Sequence, residues 1–123
     1  MTLAAGVVAT AAFAAGGAVA HHGWNWAEDE QTELSGTILS VVVAPPHPSL
    51  EVETASDGVW RIELGNPRQT ERAGFTEESA RPGDPVVVLG NRALQAGERR
   101  MKAVRITIAG KAFDVYPERI HTE

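Results

Sequence analysis

Apolar and polar positions along most of this chain alternate with a period of two, in short runs separated by turn residues. From Thr32 to Ala44 the run TELSGTILSVVVA is rich in β-branched residues and holds Gly36 inside it. It predicts a long first strand with a bend or bulge at the glycine. Pro45, Pro46 and Pro48, which surround His47, must end that strand because proline has no N–H to give to a ladder. Leu50, Val52 and Thr54 then share one face while Glu51 and Glu53 share the other. Ser56-Asp57-Gly58 is a hairpin turn of the D-G type, and Val59 to Leu64 returns with Trp60, Ile62 and Leu64 facing inward.

The period changes after Gly65. Asn66 is placed to cap a short helix that begins at Pro67, runs through Arg72 and stops at Gly74. Thr76 and Ser79 mark a second capped turn. Pro85 to Gly90 and Met101 to Ile108 read as further strands, the latter with Val104, Ile106 and Ile108 inward and Arg105 and Thr107 outward; Ala112 to Tyr116 reads as a short sixth strand. A long bent first strand, a hairpin, a short helix and two more strands are the order of a five- to six-stranded, OB-like Greek-key barrel, all-β apart from one short helix. The chain divides into a leader (1–20), a polar and aromatic lead-in (21–31), the barrel (32–116) and a tail expected to fray (117–123).

Composition narrows the setting. The first 20 of the 123 residues carry no charged side chain and end in Ala18-Val19-Ala20, the pattern of a signal peptide with an A-x-A cleavage site. Alanine and glycine dominate that stretch, so it makes a weak membrane span, and none is expected after cleavage. The protein is therefore expected in the periplasm or secreted. It has no cysteine, which excludes disulfides, thiolate metal sites and a Cys nucleophile. Its net charge of -5 argues against a nucleic-acid partner, because a phosphate backbone calls for a lysine and arginine patch.

Candidate chemistry lies at the leader junction. Cleavage after Ala20 would leave His21 as the first residue, with a free α-amino group beside the imidazoles of His21 and His22. Amine and imidazole nitrogens suit Cu(II) or a similar borderline ion, and their protons are displaceable near neutral pH. His47 is the candidate third ligand, in a T-shaped arrangement; His121, on the tail, is the poorer choice. An extended strand of about 12 residues runs roughly 40 Å, so His21 meets His47 only if the lead-in folds back or the strand coils strongly.

Several motifs together resemble a family of small exported bacterial proteins of unknown function that carry an A-H-H motif at the leader junction. They are Ala20-His21-His22, Pro46-His47, Ile62-Glu63-Leu64-Gly65-Asn66-Pro67, Arg72-Ala73-Gly74-Phe75-Thr76 and Arg81-Pro82-Gly83-Asp84-Pro85-Val86. The resemblance implies export and an OB-like barrel, and no reaction. The chain departs from it at Pro48, an extra proline after the histidine where an N-P-H turn leads straight into a strand.

No nucleophile elbow, H-E-x-x-H or glycine-rich phosphate loop is present, so no catalytic residue is assigned and a binding module is favoured over an enzyme. The expected function is a small exported binding protein with copper as its candidate ligand. A metal-free envelope module that binds a partner protein or a small molecule is the alternative.

Overall fold

A computed structural model of the protein describes residues 23–121. Strand β1 (Ala27–Val42) is followed by β2 (Ser49–Glu53), β3 (Val59–Glu63), helix α1 (Pro67–Arg72), β4 (Pro85–Ala93), β5 (Arg100–Ile108), β6 (Lys111–Asp114) and a 3-10 turn, Pro117–Arg119. The strands hydrogen-bond in the order β3-β2-β1-β4-β5-β6, and β3 also pairs with β5. That last pairing is parallel, from Arg61↔Arg100 to Glu63↔Lys102, and it closes β1 to β5 into a five-stranded barrel with β6 added at the outer side of β5. Closure removes most of the strand edge that an open sheet would expose.

Inward-facing residues follow the alternation except at Met101: Ile38, Leu50, Val52, Trp60, Ile62, Leu64, Val86, Val88, Met101, Val104 and Ile106 are all buried in one core. Helix α1 sits between β3 and β4. The side chain of Asn66 accepts from the N–H of Gln69, and the buried Thr70 hydroxyl donates to the Gly65 carbonyl.

The structure departs from the pattern in β1, in the tail and, at the site described below, in β5. The register of β1 against β2 shifts between Ile38 and Ser40, two residues past the glycine expected to mark the bend or bulge. Gly36 itself stands where β1 passes from pairing with β4 to pairing with β2, so close to β2 that a Cβ would meet the Glu53 carbonyl and the Val52 side chain. Strand β1 also starts at Ala27, inside the stretch expected to be lead-in; its register against β4 shifts between Ala27 and Gln31, which erases the alternation there. The tail does not fray as far as His121: the Gln31 side chain donates to the Arg119 carbonyl at 2.5 Å and accepts from the His121 N–H at 3.2 Å.

Candidate functional site

One row of side chains runs across the outside of the barrel. Ser49 pairs with Glu63, Glu63 with Lys102, Lys102 with Asn91, and Asn91 with Gln31, so the row passes through β2, β3, β5, β4 and β1. These residues face away from the core, because their neighbours Leu50, Ile62 and Met101 face into it. Outward polar residues normally meet water. Here Ser49, Glu63, Lys102 and Asn91 are only 8%, 7%, 4% and 6% exposed.

The lead-in and the tail cover the row. Residues 23–26 turn back toward β1, with the Ala27 N–H donating to the Trp24 carbonyl and the Leu94 N–H to the Trp26 carbonyl. Trp26 lies under the Arg100 guanidinium at 3.6 Å. Trp24 meets Tyr116 edge to face at 4.9 Å, carries Arg119 at 3.9 Å, and has the Lys102 ammonium over its ring at 5.4 Å. The same ammonium lies 5.7 Å from the Tyr116 ring. Such contacts partly replace the hydration a buried cation has lost.

Electrostatics along the row are uneven. Glu63 is held by Arg100 at 2.9 Å and by Arg61 at 3.5 Å. Burial lowers the pKa of Lys102; Glu63 opposes that shift, and Arg100 and Arg119 add to it. Burial likewise raises the pKa of the Tyr116 phenol, against the pull of Arg119. Asn91 spends its amide N–H groups on the Glu28 and Asp29 carbonyls at 2.9 and 3.1 Å, while its Oδ1 is buried without a partner.

Of the metal candidates, His21 and His22 lie outside the described residues. His47 is exposed in the β1–β2 loop, between the cis Pro45-Pro46 bond and Pro48. His121 is exposed and lines a groove with Trp24, Gln31, Asn91 and Arg119. Among the described residues no three His, Asp or Glu side chains group as a metal site. No helix among them is long and apolar enough to cross a membrane.

The alternation in β5 hides Lys102, Asn91 and Glu63 as a group. Counted back from Val104, Ile106 and Ile108, Lys102 should point inward. The register of β5 against β4 shifts at Leu89/Gly90, which turns Met101 inward and Lys102 outward. One signal points to the group: Met101-Lys102-Ala103-Val104 is apolar on both faces apart from the lysine, as in a strand covered on two sides.

Solved structures with a similar fold define the class. A chain of the S. pombe Stn1-Ten1 complex aligns at a TM-score of 0.54 and 18% identity, over 66% of this chain and 59% of that one. A chain of TiaS, solved in complex with a tRNA and ATP, aligns at 0.51 and 19%, over 66% of this chain and 18% of that one. The S. cerevisiae mitochondrial single-stranded DNA binding protein Rim1 aligns at 0.50 and 17%, over 67% of this chain and 94% of that one. The protein is thus an OB-fold-like barrel. A family model described as "Family of unknown function (DUF6152)" matches residues 7–102, and the chain belongs to that family. The resemblance drawn from its motifs, to a family with no established activity, is met there. No curated protein matches the sequence.

These neighbours overturn one expectation. The acidic balance argues against a nucleic-acid partner, yet proteins of this fold include a single-stranded DNA binding protein and one solved with tRNA. Net charge averages over the whole surface, whereas recognition is local: Arg61, Arg99, Arg100 and Arg119 lie on β3, the β4–β5 loop, the start of β5 and the tail that covers it.

Proposed function

We propose that the protein is an exported binding module that holds Cu(II) through the mature N-terminal amine, His21, His22 and His47. The observation that carries this reading is the path of the lead-in. Trp24 lies over Lys102, Lys102 pairs with Glu63, and Glu63 pairs with Ser49, two residues beyond His47. Two strand spacings of about 4.8 Å therefore separate the strand under Trp24 from the strand that His47 leads into. Barrel closure supports this short path in place of the roughly 40 Å that an extended first strand would span.

The test is Cu(II) titration, followed by calorimetry and electron paramagnetic resonance, on protein purified after export. The expected result is one site with nitrogen hyperfine structure, lost in H21A/H22A and weakened by about tenfold or more in H47A. Unchanged affinity in H21A/H22A would falsify the proposal.

A second reading is single-stranded nucleic acid, favoured by the position of Arg61, Arg99 and Arg100. They lie on β3, the β4–β5 loop and the start of β5, beside the surface that OB folds commonly use for oligonucleotides. Fluorescence anisotropy with a labelled oligothymidylate at low salt checks it. Binding that steepens as salt falls and drops in R61A/R99A supports this reading; no anisotropy change at low salt removes it.

A further inference from the structure

Two cations in this structure converge on one indole, and among the described residues neither meets a carboxylate. The Lys102 ammonium lies over Trp24 at 5.4 Å and the Arg119 guanidinium over the same ring at 3.9 Å. No hydrogen bond or ion pair among the described residues involves the Lys102 Nζ, although the residue is only 4% exposed. Its row neighbour Glu63 is already engaged by Arg100 and Arg61. On its other side Asn91 presents a buried Oδ1 that receives no donor. Lys102 and Asn91 are cross-strand partners, so a cation without a hydrogen-bond partner and a buried acceptor without a donor are neighbours on one row.

A buried charge without a paired counter-ion is costly, and a fold is better served by an apolar side chain of the same volume. Its retention here, beside a second unpaired cation, fits a site kept for a ligand. We infer that Lys102 and Arg119 form an oxyanion-binding site gated by Trp24, for a small anion that also carries a hydroxyl hydrogen, such as a phosphate or an α-hydroxycarboxylate. The anion accepts from Lys102 and Arg119, and its hydroxyl donates to Asn91 Oδ1. Trp24 is the placeholder: residues 23–26 move aside together, and the π contact of the two cations is exchanged for an ionic one. The groove beside it is lined by Trp24, Asn91 and Arg119 together with the acidic Glu28, Asp29 and Glu118, and Lys102 joins it only when Trp24 moves aside. The site stands on described residues only and is independent of copper.

Tryptophan fluorescence of the full exported protein in the presence of a chelator tests this. Inorganic phosphate and glycolate are titrated against chloride and acetate at matched ionic strength. Expected are a saturable change with phosphate or glycolate and none with chloride, with acetate weaker than glycolate. Lys102→Met and Arg119→Gln each weaken binding at least tenfold, and K102M melts no lower than the parent. The arm that saturates identifies the source as phosphate or hydroxycarboxylate. A change that follows ionic strength alone, or one that persists in K102M, overturns the inference. If K102M does not fold, R119Q decides the question in its place, because Arg119 is half-buried and outside the core.

Discussion

At Lys102 the covering of the barrel by its own chain ends can be tested with one side chain. The ammonium is disfavoured by burial, and only the faces of Trp24 and Tyr116, with Glu63 further off, offset the loss. Replacing Lys102 with methionine should raise the free energy of unfolding at neutral pH by roughly 1–3 kcal/mol in urea titrations. The pH dependence has a definite sign. Below the depressed folded pKa the lysine is charged in both states and its burial penalty is fully felt. Between that value and the ordinary one near 10.5 only the unfolded chain binds the proton, so stability rises with pH and the advantage of K102M shrinks. Glu63, Arg100, Arg119 and Tyr116 face the same ammonium and are common to both proteins, so they largely cancel in the comparison. An advantage that grows toward alkaline pH would show that Lys102 is not held by burial. Trp24→Ala should cost about 1–3 kcal/mol in the parent and less in the K102M background, because the charge it covers is then gone; a double-mutant cycle reads the difference. Lys102 is barely legible in the sequence, where alternation counted from Val104 points it inward and only the apolar run around it signals a strand covered on both sides.

At the scale of elements, periodicity carries the reading wherever a strand has one wet face and one dry one. The β2–β3 hairpin, its Gly58 turn at φ 76 and the Asn66-capped helix stand where alternation and capping chemistry predict them. Alternation fails at the register shifts, between Ala27 and Gln31 and at Leu89/Gly90, since an unpaired residue inverts the face of everything beyond it. Gly36 is special through its missing Cβ, which permits the close approach of β1 to β2 where the strand changes partners. Gly36→Ala should therefore destabilise the fold by about 1–3 kcal/mol in chemical denaturation, with no change in the cooperativity of unfolding. Glycine to alanine at an unstrained strand position would instead be neutral or favourable.

For the whole molecule, the consequential event is the closure of β3 against β5. It makes an OB-fold-like barrel, and it brings the strand after His47 within two strand spacings of the lead-in, which no reading of strand length could give. The tail contributes too, since Arg119 and Tyr116 complete the cover over Trp24. Composition, by contrast, is a poor guide to partners, because a net charge of -5 says nothing of where the arginines gather. The proposal that depends on all of these features is that the mature chain begins at the histidine pair and holds a metal there. Intact mass spectrometry of the exported protein, under native conditions with and without added Cu(II), tests it most directly. The expected result is a mature chain starting at His21 that retains one copper ion, and none in H21A/H22A. A chain that starts elsewhere, or one that starts at His21 and retains no copper, would contradict it.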